Sequence, residues 1–276
     1  MPLSQAGFDY LRTLVCQRTA IVLDADKTYL AEARLLPLAR RAGYGSVGDL
    51  LDHLPGAPAN GLQQQVVEAM TINETSFFRD HYPFEALRQV VLPQLLQRRA
   101  AEKCLNVWCA ACSSGQEPYS VALLLREHFS LPADWHVRLI ASDVSDEMLE
   151  RARQARYSRM EVNRGLPARL LVKYFVQEGS DWLLREDVRR AVEFRRLNLA
   201  EAWPALPALD IILLRNVLIY FNVPTKKAIL GKVRRLLRPD GFLFLGGAET
   251  TLNLDDAFER VPLDRAGCYR RASATR

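Results

Sequence analysis

From residue 83 onward, apolar runs of strand length alternate with helix-length segments, and this rhythm constrains the fold more than any other feature. Residues 105–111 read as a strand leading into a helix over 117–129, and 136–142 as a strand leading into 147–153. A strand over 210–214 precedes a helix over 225–237, and 241–245 is a further strand. Strands apolar at nearly every position and joined by helices belong to a parallel sheet covered on both faces. The expected class is therefore α/β, with a doubly wound, mostly parallel sheet. Residues 84–98 read as one long helix ahead of the first strand. Between 157 and 191 the rhythm breaks into shorter runs, which predicts a small inserted subdomain. Residues 259–262 and 268–271 are expected to close the chain as an antiparallel hairpin.

The first 70 or so residues carry helical spacing instead. Helices are expected over 8–15, 28–41 and 45–54, with a Pro-Gly-Ala-Pro loop at 55–58 and a fourth helix over 63–70. Pro37 falls inside the second of these and is expected to kink or restart it.

Composition narrows the class. The 276 residues are 49% hydrophobic and 25% charged, an ordinary globular balance. No apolar stretch approaches the roughly 18 residues of a membrane span, and the first residues lack a signal-peptide pattern. Five cysteines without a framework fit a reducing compartment, so a cytoplasmic protein without membrane insertion is expected. Residues 1–80 hold 7 Lys and Arg against 9 Asp and Glu, and the remainder carries a net +7. That surplus favours an acidic partner. The basic stripes with interleaved aromatics and the zinc-knuckle spacings of RNA binders are missing, so nucleic acid is not the expected partner.

Four segments carry chemistry. The run Asn-Glu-Thr-Ser-Phe-Phe-Arg-Asp at 73–80 is too rich in aromatic and polar groups for a connector. Thr75 and Arg79 share a side in either a helix or a strand, while Phe77 and Phe78 also suit a plain hydrophobic plug. The second segment, at 105–120, is a strand, a turn of small residues with Gly115, and a helix start. One glycine is too few for a dinucleotide fingerprint and the phosphate-cradling Lys-Ser/Thr pair is missing, so a cofactor without pyrophosphate fits better. Glu117 there could hold a cationic amino group or simply favour the helix N-terminus. Cys109 and Cys112 also match a redox Cys-x-x-Cys, though two cysteines without a histidine cluster are poor metal ligands, and no metal is expected. Third, Asp143 ends the second strand, where a carboxylate can accept ribose hydroxyls or sit at a helix start. Fourth, the strand at 210–214 runs into Arg215 and Asn216, polar groups that must be satisfied if buried. Tyr220 beside Phe221 suits a pocket rim or plain core.

Together these segments resemble the CheR-type chemotaxis-receptor methyltransferases. The resemblance rests on the run at 71–79, Ala-Ala-x-x-x-Gly-x-Glu-Pro-Tyr-Ser at 110–120, Ala-Ser-Asp at 141–143, Arg-Asn-Val-Leu-Ile-Tyr-Phe at 215–221 and Leu-Arg-Pro-Asp-Gly at 237–241, and spans about residues 8–271. It implies an N-terminal all-α domain over 1–80 that docks on receptors and acts as a lid. A class I methyltransferase domain over 81–276 would follow, with an antiparallel β-subdomain inserted at about 157–192. The implied cofactor is S-adenosylmethionine, leaving as S-adenosylhomocysteine, and the implied acceptors are receptor glutamates. Carried over residue by residue, Asn73, Thr75, Arg79, Glu117, Asp143, Asn198, Leu199, Arg215 and Asn216 line the cofactor site. Arg79 and Tyr220 lie near the reacting methyl, and Arg34, Arg40 and Arg41 match a basic helix that docks on the acidic helical bundle of the chemoreceptor's cytoplasmic region. The chain departs from the family at Cys109 and Cys112, where small residues are commoner, and at Pro37 in the docking helix. The turn at 177–182 is short, so independence from a C-terminal receptor tether peptide is expected, as is a monomer. The rival readings are a methyltransferase acting on RNA or a small molecule, and a non-enzymatic module that senses the cofactor.

Overall fold

A computed structural model describes residues 3–56 and 61–272; Ala57 and Pro58 of the expected loop lie outside the described residues. The chain divides into two compact units, Met1–Ile72 with Tyr220–Thr225, and Asn73–Ile219 with Lys226–Arg276. The division falls at Ile72/Asn73 rather than at residue 80, so the run at 73–80 belongs to the larger unit.

The smaller unit contains α1 (Gln5–Thr19), α2 (Thr28–Arg41), α3 (Val47–His53) and α4 (Gly61–Met70). Phe8, Leu11, Leu35, Leu50 and Val66 meet in one core. Ser4 and Ser46 cap α1 and α3, their hydroxyls accepting from the Gly7 and Asp49 N–H groups. The expected restart at Pro37 does not occur, and α2 continues to Arg41. Proline removes the N–H that would bond the Ala33 carbonyl. Both residues are exposed, so water can take that bond, while buried Leu35, Leu38 and Ala39 hold the helix on the core.

The larger unit opens with α5 (Tyr82–Ala86), which passes through a five-residue π turn, Leu87–Val91, into α6 (Leu92–Arg98). Pro93, lacking an N–H, follows the widened turn. Next come β1 (Cys104–Ala110), α7 (Gln116–His128), β2 (His136–Asp143) and α8 (Asp146–Gln154). The insert is β3 (Arg156–Ser158), α9 (Arg159–Asn163), α10 (Ala168–Tyr174), β4 (Phe175–Glu178), β5 (Asp181–Leu184) and α11 (Glu186–Arg189). The main sheet resumes with β6 (Val192–Arg196), β7 (Leu209–Leu214), α12 (Val223–Leu236), β8 (Leu237–Leu245), β9 (Phe258–Arg260) and β10 (Gly267–Arg271).

The seven-stranded sheet has the order β6-β2-β1-β7-β8-β10-β9. Pairing is parallel from β6 through β8, and β10 runs antiparallel to both β8 and β9. The chain builds outward from β1 through β2 to β6, then crosses to β7 on the other flank of β1. That reversal is the topological switch point, beyond whose strand C-termini ligands bind in open α/β sheets. Ile211 to Leu214 and Val107 to Trp108 are fully buried, as two covered faces require. At the opposite end of the sheet, buried Asp210 accepts from Arg99 Nε at 2.7 Å and Asn106 N at 2.8 Å, pinning α6 beneath β1 and β7.

The insert forms a three-stranded antiparallel sheet, β3-β5-β4. Glu178 pairs with Asp181, leaving a two-residue turn of Gly179 and Ser180. Gly179 has φ +63°, the left-handed backbone that glycine adopts without penalty.

Candidate cofactor site

The turn after β1 is wound tightly. Ala111, Ser113 and Gly115 have φ of 55°, 49° and 93°, and an L residue there costs on the order of 1 kcal/mol. Hydrogen bonds from neighbouring segments hold it. Cys112 N donates to the Ser142 carbonyl (2.9 Å), Ser113 N to Asp143 Oδ2 (2.8 Å) and Ser113 Oγ to the Asn73 carbonyl (2.7 Å). A Cβ on Gly115 would lie 2.9 Å from Ala152 Cβ on α8, so only glycine lets α7 and α8 approach this closely.

Asp143 therefore ties two strand ends together. It is 6% exposed, and its Oδ1 accepts from Ser145 N at 3.0 Å. The cap of α8 is Ser145, whose hydroxyl accepts from Met148 N. Leu197 N donates to the Asp143 carbonyl at 2.9 Å, bringing the loop after β6 alongside. There Asn198 closes its own turn, its Oδ1 accepting from Ala200 N (3.0 Å) and its Nδ2 donating to Glu201 (2.9 Å). Leu199 is buried, and its carbonyl accepts from Lys232 Nζ and Trp203 Nε1.

Arg215 is the hub. It is 5% exposed at the end of β7. Its Nη1 donates to Glu117 Oε2 at 2.7 Å; its Nη2 donates to Asp80 Oδ2 at 2.7 Å and to the Arg79 carbonyl at 2.9 Å. Its guanidinium carbon lies 5.7 Å from the centre of the Phe84 ring. Its Nε is buried without a hydrogen-bond partner among the described residues. Glu117, read as a holder of an ammonium group, thus already shares one oxygen with Arg215. Burial pushes its carboxyl above the ordinary range, and Arg215 pulls it back. Asn216 follows with φ +57°.

The run at 73–80 forms neither helix nor strand but an irregular stretch ending in a turn. Thr75 and Arg79 are half-buried, and Arg79 Nη1 donates to the Glu74 carbonyl. Phe77 is fully buried edge-on to Tyr157 (5.0 Å) and Phe175 (5.7 Å) of the insert, and Phe78 packs on Phe84. The plug reading of the phenylalanines is correct. The run belongs to the larger unit, so Arg79 is part of that unit and not of the helical domain.

The smaller unit holds the other expected residues. Tyr220 is half-buried and its carbonyl accepts from Val22 N. Arg34 donates to the Met70 and Thr71 carbonyls, both at 3.1 Å, closing the end of α4, whereas Arg40 and Arg41 are exposed. Arg34 is thus engaged internally.

Three polar residues absent from the expected set hold this framework: Asp80, Ser113 and Glu249. An acid three residues past Gly246, where β8 ends, was a usable signal for Glu249. The redox reading of Cys109 and Cys112 fails. Both are free and buried, and burial pushes their thiols well above the ordinary range, whereas redox thiols are acidic and accessible.

The family model described as "CheR methyltransferase, SAM binding domain" matches residues 73–266, and "CheR methyltransferase, all-alpha domain" matches 6–71. The chain belongs to the CheR methyltransferase family. It is 38% identical to chemotaxis protein methyltransferase 1 of Pseudomonas aeruginosa, over 98% of this chain and 99% of that one. It is 37% identical to chemotaxis protein methyltransferase Cher2 of Pseudomonas putida, over 95% of this chain and 96% of that one. A solved TehB-like SAM-dependent methyltransferase from Corynebacterium glutamicum is 10% identical, with TM-score 0.39, over 66% of this chain and 96% of that chain.

As a CheR methyltransferase the chain uses S-adenosylmethionine, and its donor set fits that molecule. The carboxylates of Asp80 and Glu117 pair with the one guanidinium of Arg215, a negative balance suited to a sulfonium cation bearing an ammonium group. The orphaned Arg215 Nε is a buried donor fit for an oxygen acceptor.

Proposed function

We propose that the enzyme methylates glutamate side chains of chemoreceptor cytoplasmic helical bundles, forming methyl esters, in the cytoplasm and as a monomer. The observation that carries this reading is the guanidinium-centred site at Arg215, whose hydrogen-bond partners among the described residues include neither histidine nor lysine. Lysine or hydroxyl acceptors must lose a proton to react; a glutamate with pKa of about 4.3 is already ionised at neutral pH. The site therefore needs to orient an oxygen rather than deprotonate it, and such positioning can be worth roughly 7–11 kcal/mol.

The cofactor, when bound, supplies an electrophilic methyl on sulfonium. Asp143 would accept from ribose hydroxyls, and Glu117 would accept from the ammonium through its second oxygen. Asn73, Thr75, Arg215, Asn216, Asn198 and Leu199 complete the lining. Arg79 orients the acceptor carboxylate loosely, since a tight bidentate grip would blunt its attack. Arg40 and Arg41 dock on the acidic receptor bundle, while Arg34 holds α4. The two-residue turn between β4 and β5 leaves little loop with which to grip a tether peptide, so activity is independent of one.

Radiolabelled S-adenosylmethionine incubated with chemoreceptor membranes should give receptor label that alkali releases as methanol. Label stable to alkali, or label on RNA, would overturn the proposal. Tight calorimetric binding of a receptor C-terminal peptide would overturn the tether clause alone.

A further inference from the structure

We infer that Glu249 is a positioning residue for the cofactor site, holding 215–219 in the conformation that presents Arg215 and Asn216. The inference rests on the assignment of those two residues to the cofactor lining. Glu249 lies in a turn after β8, its own N–H donating to the Gly246 carbonyl at 3.0 Å. The side chain folds back and is 8% exposed. Its Oε2 accepts from Gly246 N at 2.6 Å and Asn216 N at 2.7 Å. Its Oε1 accepts from Val217 N at 2.8 Å and Leu218 N at 2.6 Å, with Ile219 N at 3.4 Å.

One carboxylate thus gathers the N–H groups of four successive residues and ties the ends of β7 and β8 together. Successive backbone donors wound in this way form a concavity that favours an anion. Without one, their partial charges repel and buried donors go unpaired. The arrangement also stabilises the left-handed backbone of Asn216, φ +57°. Losing the carboxylate frees Asn216 to relax, and the adjoining Arg215 then loses the fixed backbone that aims its guanidinium at Glu117 and Asp80. Gly246 belongs to the same unit. A Cβ there would lie 2.7 Å from both Asn216 Nδ2 and Glu249 Oε2, so a side chain would displace both. The charge of Glu249 also reaches Glu117, adding to burial in raising its carboxyl.

A mere stability cap and a positioning residue differ in what their loss changes. The test compares Glu249→Ala, Glu249→Gln and Gly246→Ala in the full chain. The readouts are calorimetric affinity for S-adenosylhomocysteine, hydrogen exchange at the 216–219 amides, and thermal melting. Glu249→Ala should weaken affinity about tenfold or more, the scale of losing buried charge-assisted hydrogen bonds. Glu249→Gln should fall between, since its oxygen still accepts while its NH₂ faces the donors. Gly246→Ala should match Glu249→Ala in affinity although it keeps the carboxylate, and the 217 and 218 amides should lose protection in all three. Wild-type affinity in folded variants, whatever their melting temperature, would overturn the inference; so would unchanged protection at 216–219. Should Glu249→Ala not fold, the other two variants carry the same comparison. These readouts need no methyl acceptor, so failure of the glutamate assignment would leave them standing, and absence of S-adenosylhomocysteine binding by the wild type would refute the cofactor lining itself.

Discussion

Replacing Arg215 with methionine removes the cation on which the site converges while keeping much of its apolar stem. The Arg215 side chain is 1% exposed and that of Glu117 is 12% exposed, so the substitution strands a carboxylate with little water to solvate it. Breaking a buried pair from one side costs about 3–5 kcal/mol. The bond to Asp80 adds little, because that side chain is 49% exposed and such pairs contribute about 1 kcal/mol or less. The expected loss is therefore about 3–5 kcal/mol, tempered as Glu117 takes up a proton. The four tryptophans, Trp108, Trp135, Trp182 and Trp203, all lie in the larger unit, so their fluorescence in urea reports its unfolding directly. Arg215→Met with Glu117→Gln should recover part of the loss, since the stranded charge is gone. A loss under about 1 kcal/mol for Arg215→Met, or no recovery in the double variant, would refute the account of Arg215 as the partner of a buried carboxylate.

Other outcomes follow from the same geometry. Asp143→Asn should weaken calorimetric S-adenosylhomocysteine binding and loosen the β1 turn, because an amide can accept from only one of the Ser113 and Ser145 N–H groups; unchanged affinity would remove Asp143 from the ribose role. Glu117 has a folded-state carboxyl raised above its ordinary value of 4.5. Taken alone, the stability it contributes is present at low pH and lost as pH rises from that value through the folded one. Cofactor affinity runs the other way, falling on acidification at a pH above the ordinary carboxylate range, and Glu117→Gln should flatten that profile in calorimetry. Iodoacetamide should modify exposed Cys16 in the native protein while Cys109 and Cys112 stay unmodified until unfolding, as mass spectrometry of peptides would record.

The α/β rhythm was readable because strands buried on both faces leave an unmistakable apolar signature, and the expected sheet strands formed within a residue or two at their ends, except that β8 starts four residues early. Arg215 was legible for a related reason: a guanidinium at the end of a run as apolar as 211–214 must be answered by something. What answered it was not legible. Asp80, the Arg79 carbonyl and Glu117 reach Arg215 from 98 to 136 positions away in the chain. Glu249 stood as an acid three residues past Gly246 but went unread, because its partners are backbone N–H groups, which carry no residue code. The sequence could not decide between a kink and a restart at Pro37, because the cost of a helical proline depends on whether water reaches the orphaned carbonyl, and exposure is a tertiary property. The resemblance implied Arg34 as a docking residue, and the carbonyls at the end of α4 lay within its reach.

The most direct test of the account is to map the methyl group itself. A purified chemoreceptor cytoplasmic fragment, incubated with enzyme and S-adenosylmethionine, is digested and sequenced by tandem mass spectrometry. Methyl esters should be confined to glutamate side chains and be lost with Arg215→Met enzyme. Methylation on lysine, on hydroxyl residues or nowhere on the receptor, by an enzyme that binds S-adenosylhomocysteine, would contradict it.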